Sequence, residues 1–119
     1  MLLFILKAKL HALTVTHSNI EYEGSIGLDR EWLDKTGIKP FEKVHIYNIT
    51  NGERFETYVI EEPAGSRRVV LNGAAARKVS VGDKIIVACY ALMDEKEAGN
   101  FRPRILIFSS NNQIKEERN

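Results

Sequence analysis

One cysteine, one tryptophan, three prolines and no surplus of charge mark what this 119-residue chain has little of. The lone Cys89 excludes an intrachain disulfide and a cysteine-only metal site, and it fits a reducing compartment. Lysine and arginine total 17 against 16 acids, a balance that gives no general pull toward nucleic acid or an anionic membrane. No apolar run approaches the ~20 residues that span a bilayer. The apolar start, Met1 to Leu6, is too short for a signal peptide and runs straight into Lys7-Ala8-Lys9, so it reads as a buried first strand. His11, His17 and His45 share no metal-ligating spacing, and no nucleotide-phosphate loop stands out. These absences point to a cytoplasmic protein with no metal, nucleic-acid or membrane partner.

What is present suits one domain over residues 1–119. The length is near the usual size for a single core, and 44% of residues are apolar. Strand patterns dominate. Val44–Thr50 and Arg54–Ile60 flank Asn51-Gly52, which tolerates the positive φ of a tight turn and predicts a two-residue hairpin. Alternation places Arg54, Glu56 and Tyr58 on one face of that arm and Thr57 on the other. Asp29 to Thr36 reads as a short helix capped by Asp29 and ended by Gly37 and Pro40. Ile85–Leu92 is apolar at nearly every position and predicts a strand buried on both faces. Ile105–Phe108 is another strand, and the polar tail after Asn111 is expected to fray. Ile38–Ile46 also overlays Val79–Val87: each leads through a turn into an acid, a lysine and an apolar–any–apolar triplet. Only the lysine is identical, so the residues alone do not separate this echo from chance.

The chemistry-bearing residues are ordinary when taken singly. Gly24-Ser25 is a turn, Lys9 and Arg54 are surface cations, His11 is a partly buried histidine, and Tyr22 and Tyr58 are packing aromatics. Asn72-Gly73-Ala74-Ala75-Ala76 is a tightly packed start to a second short helix. In combination, Lys9, His11, Tyr22-Glu23-Gly24-Ser25, Arg54-Phe55-Glu56-Thr57-Tyr58 and Asn72–Ala76 resemble the motifs of the aspartate 1-decarboxylases, in order, from about Lys9 to Phe108.

That resemblance implies a fold and a chemistry. The fold is mainly β, a six-stranded double-psi β-barrel with a few short helices and two related halves. The chemistry is self-cleavage between Gly24 and Ser25, giving fragments 1–24 and 25–119, with Ser25 converted to a covalent pyruvoyl group. Glycine at position 24 suits attack by the Ser25 hydroxyl because, lacking Cβ, it can adopt strained dihedrals and expose its carbonyl. The pyruvoyl ketone condenses with the substrate amine and accepts the electron pair left by carbon dioxide, the role that pyridoxal phosphate plays elsewhere; no pyridoxal phosphate is expected here. By resemblance, Lys9, Arg54, Thr57 and the backbone of Gly73, Ala74 and Ala75 bind substrate, and Tyr58 returns a proton to the α-carbon. Asn72 and Thr57 assist processing, with His11 and Tyr22 in support.

The implied reaction turns L-aspartate into β-alanine for pantothenate and coenzyme A, in a homotetramer with sites between subunits, with a maturation factor as a further partner. Departures are small: Ala12 stands where many relatives carry arginine, and Arg77 where some carry histidine. Two alternatives stay open at this level. One is a non-catalytic barrel serving as an interaction or regulator module. The other is a pyruvoyl decarboxylase of another acidic amino acid, although the planar fork of Arg54 suits a diacid.

Overall fold

The computed structural model describes residues 1–119. Strands β1 (Leu2–Thr14), β2 (His17–Asn19) and β3 (Ser25–Asp29) lead into helix α1 (Arg30–Thr36). Strands β4 (Lys43–Asn48), β5 (Arg54–Glu62) and β6 (Val69–Asn72) lead into a 3-10 helix at Gly73–Lys78. Strand β7 (Lys84–Asp94), helix α2 (Glu95–Asn100), β8 (Arg104–Ser109), a 3-10 turn at Ser110–Asn112 and β9 (Gln113–Arg118) complete the chain. No helix is long and apolar enough to cross a membrane.

The strands neighbour one another in the order β2-β6-β3-β5-β4-β7-β1-β8-β9. Strand β1 runs through Val15 and Thr16 into β2, which pairs with β6. Thr16 N–H donates to the Val69 carbonyl at 2.9 Å, and Val69 N–H donates to Thr16 Oγ1 at 2.8 Å. The six strands β6-β3-β5-β4-β7-β1 therefore come round to one continuous stretch of chain, the mainly β arrangement expected. The β8–β9 hairpin flanks β1, to which β8 is parallel. Inside lies a cluster of 21 buried apolar residues, among them Leu10, Ile26, Ile46 and Val87. Each Leu or Ile so buried stabilises the fold by about 1.5–3 kcal/mol. Helix α1 packs Trp32 edge-on to Phe108 of β8, with ring centroids 4.8 Å apart.

The faint echo in the sequence is a real structural repeat. Strand–helix–turn–strand units β3-α1-β4 and β6-(73–78)-β7 lie with β3 antiparallel to β6 and β4 antiparallel to β7. In one unit Phe41 N–H bonds the Val59 carbonyl and Val59 N–H bonds the Glu42 carbonyl. In the other, Gly82 N–H bonds the Val15 carbonyl and Val15 N–H bonds the Asp83 carbonyl. Each turn acid also accepts from the amide three residues back, Glu42 from Lys39 N at 3.0 Å and Asp83 from Ser80 N at 2.9 Å. Helix α1 follows its expected caps: Asp29 accepts from Glu31 N, and Gly37 closes the end at φ +76°.

Several local expectations are corrected. Asn51-Gly52 is not a two-residue hairpin, because residues 49–53 all lie in the connection. Buried Asn48 organises it, its side-chain oxygen accepting from Thr50 N at 2.9 Å and Asn51 N at 3.3 Å, while Gly52 takes φ +80°. Strand β7 is buried on both faces only as far as Cys89; beyond it Tyr90 and Leu92 are exposed. The first strand is likewise half open, since Leu2 and Phe4 face outward and Phe4 stands opposite Leu92. The tail does not fray. Asn111 and Asn112 take positive φ and turn the chain back to form β9. Buried Asn112 fastens that turn, accepting from Thr14 N at 2.7 Å and donating to the Thr14 and Arg67 carbonyls at 2.9 and 3.2 Å.

Candidate active site

Ser25 opens β3 beside Asn72, the last residue of β6, and the two are direct partners across the antiparallel pair. Both are buried, and Asn72 Nδ2 donates to Ser25 Oγ at 2.9 Å. That bond occupies a lone pair of the serine oxygen and leaves its own proton free to be given away. The next residue, Gly73, has φ +64° and faces the chain ahead of Ser25. A Cβ on Gly73 would stand 2.7 Å from Gly24 N and 2.8 Å from both Gly24 Cα and Tyr22 O. Glycine at 73 is therefore what lets the Tyr22–Gly24 backbone lie against the 3-10 helix. The conformational demand expected of Gly24 is absent: its φ is not positive, and a Cβ there would meet nothing within 4 Å.

Thr57 and Tyr58 border the same place. Strand β5 runs parallel to β3 with Val59 beside Ile26, which sets the two preceding residues level with the Gly24–Ser25 bond. Thr57 is half-buried on the inner side, while Tyr58 is partly exposed on the outer side with Phe41, their rings 6.2 Å apart. The face assignments along β5 follow the alternation expected. A cleft of about 570 Å³ adjoins this group, reached by Tyr22, Asn72, Ile60, His17 and Arg68.

A second group lies apart. Two rows cross β1, β7, β4 and β5, one running Lys9–Ala88–His45–Glu56 and the other His11–Ile86–Tyr47–Arg54. Lys9, His11 and Arg54 thus share an outer face, with a cleft of about 540 Å³ formed around Arg54, Tyr47, His45, Glu56, Tyr90 and Phe4. Arg54 precedes Tyr58 by four residues of extended strand, about 13 Å. Ser25 and Arg54 do not meet within one protomer. In the 3-10 helix Ala75 is buried and Ala74 exposed, so Ala74 is open to contact from outside.

Electrostatics separate these groups further. Burial, helped by nearby Lys9 and Arg118, lowers the His11 imidazole below its ordinary 6.5, and its buried Nδ1 has no hydrogen-bond partner. Burial, then the Tyr90 hydroxyl, pushes the Tyr47 phenol up to about 12. Burial and then Glu42 push the Cys89 thiol up to about 12, which makes it an inert core residue. No cluster of three or more His, Cys, Asp or Glu side chains is placed to hold a metal. Tyr47 and Tyr90 were not legible as site residues. The only available signal was the pairing of Tyr47 with Arg54 across the hairpin, and Tyr90 enters through a strand distant in sequence.

Comparison with known proteins bears on this arrangement. The family model described as aspartate decarboxylase matches residues 1–115. The aspartate 1-decarboxylase of Ralstonia nicotianae is 48% identical over 112 residues, covering 94% of this chain and 93% of its own. That of Thioalkalivibrio sulfidiphilus is 51% identical over 114 residues, covering 96% and 90%. That of Stenotrophomonas maltophilia is 54% identical over 112 residues, covering 94% and 89%. With near-complete coverage at such identity, and with Ser25, Asn72 and Gly73 set together at one buried point, the chain belongs to the aspartate decarboxylase family.

Proposed function

We propose that this chain decarboxylates L-aspartate to β-alanine and carbon dioxide, as a step toward pantothenate and coenzyme A in the cytoplasm. In this reading it is made as an inactive precursor, cut between Gly24 and Ser25 into fragments 1–24 and 25–119. The observation that carries the reading is the buried Ser25 hydroxyl, hydrogen-bonded by Asn72 while the Gly24 backbone packs where Gly73 has no Cβ.

The residues present fit a pyruvoyl group at position 25. The Ser25 oxygen adds to the Gly24 carbonyl carbon, so the amide becomes an ester; elimination then frees fragment 1–24, and hydrolysis leaves the ketone and ammonia. Asn72 orients the attacking oxygen, and the Thr57 hydroxyl would serve as a donor to the developing oxyanion. A maturation factor that presses the loop against Gly73 would speed this step. The ketone supplies an electron sink for the pair released with carbon dioxide. Every other task falls to side chains and backbone. Arg54 grips a substrate carboxylate with two parallel N–H donors and Lys9 adds a point charge. The backbone of Gly73, Ala74 and Ala75 would border the substrate, with Tyr22 and His11 in support. Tyr58 donates its phenolic proton to the α-carbon.

With Arg54 and Ser25 on separate parts of one protomer, this reading has a second copy of the chain complete the site, within a homotetramer. Intact mass of the purified protein tests the processing: two fragments from wild type and one uncut chain from Ser25→Ala. Wild type that stays whole after prolonged warming, with and without cell extract, removes self-cleavage. Tyr58→Phe should mature fully yet lose at least ~100-fold in carbon dioxide release, the usual worth of a positioned acid; normal turnover in the matured variant takes Tyr58 out of that role. Release from aspartate, but not from glutamate or cysteine sulfinate, fixes the substrate.

A further inference from the structure

Arg54 is held in an unusual way for a carboxylate-binding residue. It forms no salt bridge, and Glu56, two residues on in the same strand, is paired with Lys43 at 3.0 Å and faces His45 at 3.7 Å. Its guanidinium carbon instead lies 3.9 Å from the centre of the Tyr47 ring. Stacking of this kind attracts the cation to the ring's face while leaving the N–H fork unclaimed. The ring in turn is tethered: the Tyr47 and Tyr90 hydroxyls meet at 2.8 Å. Tyr90 is braced by the His45 ring, edge-on at 5.1 Å with an interplanar angle of 90°. Three neighbouring strands thus supply one continuous support, from His45 on β4 to Tyr90 on β7, back to Tyr47 on β4 and on to Arg54 on β5.

We propose that Tyr90 is a positioning residue for substrate: its hydroxyl fixes the Tyr47 ring, and that ring sets the plane in which Arg54 offers its fork to a substrate carboxylate. The proposal rests on the decarboxylase reading of Arg54. A planar fork accepts two carboxylate oxygens only in one orientation, so a freely turning guanidinium loses binding to conformational entropy. The Tyr47 phenol, pushed up to about 12, stays neutral across working pH, so its hydroxyl remains available to the Tyr90 hydroxyl. Tyr90 touches no reacting atom. Its effect should therefore fall on binding and not on the chemical step.

The test is a double-mutant cycle on the matured protein with Tyr90→Phe, Tyr47→Phe and the pair combined. Each variant keeps its ring and loses one hydroxyl. Two quantities are read: KM and kcat for L-aspartate, and the calorimetric affinity for succinate, a dicarboxylate with no amine to react. Each single variant should raise KM and weaken succinate by about three- to ten-fold, the worth of one lost hydrogen bond, with kcat within about twofold. The double variant should be no worse than either single one, because both delete the same bond. Succinate affinity unchanged in Tyr90→Phe overturns the proposal, as does simple additivity of the two substitutions. Should wild type release no carbon dioxide, the decarboxylase reading fails, and succinate affinity still decides whether Tyr90 orders Arg54.

Discussion

At the scale of single residues, the constraint that matters most sits on Gly73. The dipeptide Gly24-Ser25 draws attention as the proposed place of cleavage, yet a Cβ on Gly24 would meet nothing within 4 Å and its φ is not positive. Gly73 differs on both counts, with φ +64° and three backbone atoms of residues 22 and 24 within 2.8 Å of where a Cβ would stand. We expect Gly73→Ala to fold but to push the Tyr22–Gly24 backbone away from the position at which Ser25 attacks. A displacement of that size costs on the order of 100-fold in rate. Timed intact-mass measurement reads it directly, and processing at the wild-type rate would show that the close approach is incidental. The sequence carried Asn72-Gly73 as part of a motif, so the residues were legible; the reason for the glycine was not, since it lies in a contact between positions 24 and 73, far apart along the chain. Tyr47 and Tyr90 were hidden for a related reason. A tyrosine in a strand is ordinary, and only the β4–β7 pairing brings these two hydroxyls together.

Elements were legible where their signals are local. Asp29 and Gly37 bracket α1 within a few residues, and cap chemistry needs nothing from elsewhere. The repeat of Glu42-Lys43 and Asp83-Lys84 proved structural because each acid closes its own turn, again a local device. The tail failed the same test. Its polar composition reads as frayed, but two asparagines tolerate the left-handed backbone and convert polarity into a tight return. Ile114 then packs against the core. Asn112→Ala should cost about 2–3 kcal/mol, because it leaves the Thr14 N–H and C=O without partners and puts alanine at positive φ. Denaturant unfolding measures this, and loss of amide protection confined to β9 locates it. Wild-type stability in Asn112→Ala would mean that the β8–β9 pairing holds the tail without the buried amide.

For the whole molecule, the question is which surfaces are finished. Leu2 is 60% exposed, Phe4 78% and Leu92 55%, and all lie on the outer face of the β1–β7 pair that also carries Lys9 and His11. Alternation in sequence could not expose this. Both faces of those strands read as apolar, and burial within a protomer and burial between protomers look alike in composition. The same face continues across β4 to β5, where Arg54 stacks on Tyr47 and its fork forms no salt bridge. In the proposed reading this face belongs to an incomplete site, which a second copy bringing Ser25 opposite Arg54 would complete. We expect light scattering of wild type to give a tetramer. Phe4→Asp places a charge where the patch must be dehydrated, and should shift the mass toward monomer at micromolar concentration. Decarboxylation should fall with the tetramer fraction across a dilution series, because Ser25 and Arg54 stay apart within one protomer. A Phe4→Asp monomer with full turnover would mean that one chain suffices, and Arg54 would then have to be removed from the substrate site.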